Sequence, residues 1–149
     1  MKFEKFLKSV GTHGEVITIG EFDKWLVCAG VGMRIPEGVD NILGVNKSHD
    51  YATIVDVISK TELDEPLSLI EAVLLDPTGK ANDIYRVFET DLGDSKVAII
   101  NSDYGLIEKS DNLGYLEIET DDGTIIKYVL VYDKSGQDIQ GYITGSSKF

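Results

Sequence analysis

Cysteine, tryptophan and histidine are nearly missing from this chain, which has one Cys, one Trp and two His in 149 residues. The single cysteine, Cys28, excludes an intrachain disulfide framework and fits a reducing cytosol, so a cytoplasmic protein is expected. It lies in the apolar run Trp25-Leu26-Val27-Cys28-Ala29, a setting for a small buried hydrophobe rather than a nucleophile, and Trp25 reads as core on the same ground. His13 and His49 belong to no His-x-x-x-His or Cys-x-x-Cys pattern, so no metal centre is expected. No run approaches the roughly 18–20 apolar residues of a membrane span. Residues 1–8 carry charges every few positions in place of a signal peptide's apolar stretch, and no membrane partner is expected. A repeat of fixed period is also lacking, which argues against a solenoid or propeller.

Catalytic and cofactor motifs are equally sparse. Gly30-Val31-Gly32 lacks the third glycine of a dinucleotide fingerprint and is followed by no credible helix. The run Asp133-Lys134-Ser135-Gly136-Gln137-Asp138 resembles a calcium loop only superficially. Its glycine falls too early and the closing glutamate is absent, so it reads as a turn. Carboxylate pairs such as Asp64/Glu65, Glu117/Glu119 and Asp121/Asp122 arise readily among 26 acids and do not by themselves make a hydrolase site. No serine has a flanking nucleophile motif. A non-enzymatic protein without a cofactor is the expectation.

What the chain has in excess is acid. Asp and Glu number 26 against 14 Lys and Arg, a net charge of −12. Residues 1–55 carry 7 acidic and 6 basic side chains, whereas residues 56–149 carry 19 and 8. Such charge keeps a protein soluble and repels nucleic acid and anionic membranes, so direct nucleic-acid binding is not expected. Seven tyrosines against one tryptophan suit a protein contact surface as well as half-buried strands.

The pattern predicts a mainly β fold, all-β or α+β. Antiparallel hairpins would form a sandwich or partly open barrel, with a short N-terminal helix. That helix is expected over residues 2–9, with Phe3, Phe6 and Leu7 on one face and Gly11 ending it. Strands are expected over 15–19, 24–29, 51–59, 84–90, 96–100 and 106–109, with a weak last strand over 139–143. Residues 67–75 fit either a helical face through Leu67, Ile70, Val73 and Leu74 or a strand hairpinning onto 84–90, and the strand is favoured. Residues 30–36 read as a bent continuation of the second strand, Asp40-Asn41 as loop, and Ile42–Val45 as unassigned. Turns are expected at 11–14, 20–23, 36–38, 76–79, 91–94, 101–105 and 133–136, and a frayed end at 145–148. The chain is read as one domain over 1–149 with a subdomain boundary near 61–66.

The most legible stretch is the hairpin 115–132. A two-residue loop at Asp122-Gly123 would mix polar and apolar residues on both faces. A three-residue loop, Asp121-Asp122-Gly123, pairs Leu116 with Tyr128, Glu117 with Lys127 and Ile118 with Ile126. One face then collects Leu116, Ile118, Ile126, Tyr128, Leu130 and Tyr132, while the other carries Glu117, Glu119 and Lys127, with Val129 and Val131 at its far end. Glu117 and Lys127 are expected to pair across the sheet.

In size, charge and turn-rich β content the chain resembles small acidic accessory proteins of phages, prophages and toxin–immunity loci. That likeness implies an inhibitor or accessory protein engaging a basic surface of a nucleic-acid-handling protein. The binding residues expected are Glu117, Glu119, Asp121, Asp122, Tyr104 and Tyr115. A second class is a small-molecule-binding barrel or sandwich with a pocket drawn from His13, Gly30, Gly32, Arg34 and His49. A third is a structural phage component, which would form a defined homo-oligomer.

Overall fold

The computed structural model describes residues 1–39, 46–47, 52–74 and 84–147. In chain order the elements are α1 (Phe3–Val10), β1 (Glu15–Ile19), β2 (Asp23–Cys28), β3 (Val31–Arg34), β4 (Asn46–Lys47), α2 (Ala52–Ser59), β5 (Leu67–Leu74), β6 (Ile84–Thr90), β7 (Lys96–Ile100), α3 (Asn101–Tyr104), β8 (Asn112–Glu119), β9 (Ile125–Tyr132) and β10 (Ile139–Thr144). The expected features at 40–45, 48–51, 75–83 and 148–149 lie outside the described residues.

The strands form two sheets, and the fold is mainly β. The larger has the order β4-β1-β2-β3-β10-β9-β8 and is antiparallel except for the short β1–β4 pair; the smaller is β5-β6-β7, antiparallel throughout. The larger sheet is covered on both faces. Val55 and Ile58 of α2 pack with Ile17, Trp25, Val27, Tyr128, Leu130, Tyr132, Ile139 and Tyr142 on one side. On the other, Phe6 and Val10 of α1 and Phe88, Val97 and Ile99 of the small sheet pack with Leu26, Met33, Val129, Val131 and Ile143. This accounts for the unbroken burial of Tyr128–Tyr132, since a strand buried on both faces has no polar side to alternate with.

The β8–β9 hairpin closes in the expected register, with Leu116 opposite Tyr128, Glu117 opposite Lys127 and Ile118 opposite Ile126. The Thr120 N–H donates to the Thr124 carbonyl at 2.8 Å, and Gly123 N–H donates to the Thr120 carbonyl at 2.9 Å. Gly123 has φ 84°, which a side chain would strain. α1 also forms as expected and ends where the Gly11 N–H reaches the Leu7 carbonyl. β5 pairs with β6 as expected, with a bulge between Leu69 and Glu71.

Four expectations are corrected. Residues 52–59 form a helix, not a strand: Val55 and Ile58 are buried one turn apart, while Val57 is 44% exposed. Residues 30–36 do not prolong β2. The chain reverses at Ala29-Gly30, with φ 49° and 85°, and β3 returns against β2 with Cys28 opposite Val31. That pair of left-handed residues is the geometry of a tight two-residue hairpin turn. Residues 106–109 form no strand. The Leu106 N–H instead closes back on Asp103 after the short α3, and the Leu106 carbonyl accepts from Lys2 N–H at 2.8 Å.

Finally, β10 is an interior strand between β3 and β9, and residues 145–146 are pinned rather than frayed. The Gly145 N–H donates to Lys127 in the large sheet and the Ser146 N–H to Ala98 in the small one, both at 2.7 Å. The 61–66 segment is likewise tied down. The Glu65 carbonyl accepts from Tyr115 N–H at 2.8 Å, and the Thr61 carbonyl accepts from the Tyr132 hydroxyl at 2.8 Å. Among the described residues, no helix is long and apolar enough to cross a membrane.

Candidate functional site

The hairpin tip holds the four expected acids, and all are exposed. Asp122 accepts from the Thr120 hydroxyl and from the Thr124 N–H at 3.1 Å. These bonds, the Thr120 hydroxyl first, bring its carboxyl down to about 2, so it is fully charged at neutral pH. Asp121 stands at the loop apex. Glu119 makes no hydrogen bond or ion pair among the described residues, and its cross-strand neighbour is Ile125, which is 56% exposed.

The expected Glu117–Lys127 ion pair does not form, although the register is right. Lys127 turns its ammonium to the Lys96 carbonyl at 2.9 Å, reaching across to β7. Glu117 instead accepts from the Tyr115 hydroxyl at 2.9 Å. A phenol supplies a hydrogen bond but no positive charge, so the tip keeps four carboxylates without a neutralising cation.

The two tyrosines are not free contact surfaces. Tyr115 is 8% exposed and its ring belongs to the core between the sheets. Tyr104 sits in α3, not on a turn tip. Its ring packs 6.1 Å from that of Phe88, and the Arg86 guanidinium stacks 4.8 Å above it. Among the described residues the most exposed large apolar side chains are Phe22 and Leu92, each 88% exposed, which crown the β1–β2 and β6–β7 turns. The sequence signal for them was an aromatic and a leucine inside short Gly/Asp turns, which read only as turn residues.

Burial, aided by Glu117, raises the Tyr115 phenol to about 12, and burial, aided by the Glu62 charge, does the same for Tyr132. A phenol whose folded pKa exceeds its unfolded value near 10 favours the folded state while it is neutral. That contribution is complete below pH 10 and lost as pH rises toward 12. Absorbance titration at 295 nm is therefore expected to show late-ionising phenols, one of which disappears in each of Tyr115→Phe and Tyr132→Phe. Titration of all phenols together near pH 10 in the folded protein would contradict this.

The four described residues of the second expected site are not brought together. His13 is exposed in the α1–β1 turn, and His49 lies outside the described residues. Gly30 belongs to the β2–β3 reversal, where its carbonyl accepts from the Thr144 hydroxyl at 2.7 Å. Gly32 lies under the Tyr142 ring, and a Cβ there would come within 2.2 Å of it, so its small size serves packing.

Arg34 borders two cavities. Its Nε and Nη2 form a fork on Asp23 at 2.8 and 3.0 Å, Nη1 donates to the Ile139 carbonyl at 2.7 Å, and the guanidinium covers Trp25 at 5.1 Å. A cavity of about 420 Å³ lies on one side of the Arg34–Glu37 segment and one of about 660 Å³ on the other.

Asp133–Asp138 is a turn closed by its own first side chain. One carboxylate oxygen of Asp133 accepts from the Ser135 hydroxyl at 2.6 Å and from the N–H groups of Gln137 and Asp138 at 3.3 Å. Among the described residues, no three His, Cys, Asp or Glu side chains converge as a metal site. Comparison with protein-family models, with curated proteins and with solved structures finds no match for this chain.

Proposed function

We propose that this chain is a non-enzymatic, acidic protein-binding module. Its β8–β9 tip docks on a basic surface of a nucleic-acid-binding or nucleic-acid-cleaving protein, offering carboxylates where that surface takes phosphate. The observation that carries this is the diversion of Lys127 to the Lys96 carbonyl, which leaves Glu117, Glu119, Asp121 and Asp122 without a cation. Exposed Ile125 among them supplies an apolar anchor inside a charged rim. The two-sheet framework holds the tip in one register, so the carboxylates are presented with little ordering cost on binding.

Association governed by such a face is fast and weakens with salt. The structure also indicates which acid to spare in a test, because Asp122 closes the turn through Thr120 and Thr124. The variant Glu117→Gln with Glu119→Gln and Asp121→Asn is expected to keep the wild-type unfolding midpoint. Affinity capture from a lysate of the source organism at low salt, followed by a high-salt wash, is then expected to yield a basic nucleic-acid-handling protein. Recovery should fall at least tenfold with the variant. Capture unaffected by the three substitutions would remove the tip from the interface.

A further inference from the structure

We propose that the outer edge of β8 at Leu116–Glu119 takes an extended segment of the protein partner as an added strand, one that alternates basic with apolar residues. This inference rests on the docking role of the β8–β9 tip and specifies how the partner's chain is held there.

β8 is the last strand of the large sheet, with β9 on its inner side. The Thr120 N–H donates to the Thr124 carbonyl, so Thr120 and every second residue before it turn their N–H and C=O groups toward β9. Tyr115, Glu117 and Glu119 turn theirs outward. The chain itself uses the first of these. The Tyr115 N–H donates to the Glu65 carbonyl at 2.8 Å, and Pro66 bridges Gly114 in the antiparallel sense. Beyond that bridge no strand among the described residues pairs with Glu117 or Glu119, and β8 runs on without a proline or a break in register. The edge therefore already accepts one short piece of strand and leaves two further backbone positions open to another.

The side chains decide what fits. Residues added opposite Glu117 and Glu119 share a face with two exposed carboxylates, while the residues between them fall beside half-buried Leu116 and Ile118. One oxygen of Glu117 accepts from the Tyr115 hydroxyl. Lys127 stands on the β9 side, away from the open edge, with its ammonium on the Lys96 carbonyl. A second copy of this edge is disfavoured, because it would set glutamates against glutamates. A strand alternating basic and apolar residues complements both faces.

The probe is the acetylated and amidated heptapeptide KVKVKVK, titrated into the ¹⁵N-labelled full chain at low ionic strength. With its lysines opposite Glu117 and Glu119, it turns the lysine N–H groups to β8 and the valine N–H groups to solvent. Methylating the backbone nitrogens of the two central lysines is expected to weaken binding at least tenfold. Methylating two valine nitrogens, at the same charge, should weaken it less than threefold. The amides of Glu117 and Glu119 should exchange with solvent at least tenfold more slowly in the complex, and Glu117→Gln with Glu119→Gln should weaken binding at least fivefold.

Equal losses from the two methylated peptides would overturn strand addition, as would unprotected Glu117 and Glu119 amides. If the glutamate variant still weakened binding in that case, the acidic tip would stand as a surface that holds its partner by charge alone, so the two readings fail separately. No binding of the parent peptide would also overturn strand addition, while the lysate capture tests the tip by itself.

Discussion

Trp25→Ala is expected to lower the stability of the fold by about 3–5 kcal/mol, the range for deleting a fully buried large aromatic. The indole is 0% exposed and lies 6.4 Å from the ring of Tyr142, which in turn meets Tyr128 edge-on at 5.9 Å. Removing it opens space in the core between the large sheet and α2, and Tyr142 loses a ring partner. The loss has a polar part as well, because the indole N–H donates to Asp23 at 3.0 Å. Trp25→Phe keeps much of the packing and deletes that bond, so a smaller cost of about 1–3 kcal/mol is expected. Equilibrium urea denaturation measures both, with a lower midpoint at unchanged slope. Equal costs for the two substitutions would show that ring volume does not set the effect.

Arg34→Met is expected to cost about 2–3 kcal/mol. Breaking a fully buried ion pair typically costs about 3–5 kcal/mol. Here the side chains remain 32% and 29% exposed, so solvent screening reduces the figure. The substitution removes the guanidinium donors from the Asp23 carboxylate, which keeps the Trp25 N–H, and from the Ile139 carbonyl, and it uncovers the Trp25 face. Arg34→Lys should not rescue it, since one ammonium cannot reproduce a planar fork that grips a carboxylate, reaches a carbonyl and stacks on an indole.

Because Trp25 and Arg34 share Asp23, the two positions act as a unit. The cost of Trp25→Phe combined with Arg34→Met should therefore fall short of the separate costs added together by about 0.5 kcal/mol or more. Strict additivity would show that Asp23 does not couple them.

The parts of the fold legible in sequence are those fixed by local chemistry. The β8–β9 register followed from alternation and a loop glycine, both of which act within a few residues. The helical state of 52–59 did not, because Thr53, Ile54, Val55, Val57 and Ile58 favour strands by a margin that tertiary burial easily overrides. Val55 and Ile58 gain more by entering the core beside Ile17 and Tyr128 than the β-branched side chains lose in a helix. The Ala29-Gly30 reversal was hidden for a related reason. Alanine gives no local sign of a left-handed backbone, and the β3–β10 pairing that rewards the turn lies far along the chain.

The functional reading divides in the same way. Exposure of Glu117, Glu119, Asp121 and Asp122 was visible once the register was known. The bond from Tyr115 to Glu117 and the departure of Lys127 to Lys96 were not, because both depend on a second sheet packing against the hairpin. Likewise Arg34 was singled out from the Gly30–Pro36 stretch, but its cavity is completed by Phe3, Asp133 and Asp138, which no spacing rule connects to it.

The interior position of β10 sets an order of events during synthesis. The bond from Arg34 to Ile139 spans 105 residues, so β3 emerges from the ribosome long before the strand that will flank it. Through that interval a nascent β1–β2–β3 ribbon carries an unpaired edge at Val31–Arg34, open to wrong partners. Closure comes only when residues 139–146 arrive, and the same few residues then bond to Gly30, Lys127 and Ala98. Early translation leaves the large sheet with a gap at its centre, and a single late segment both fills it and fastens the second sheet over it.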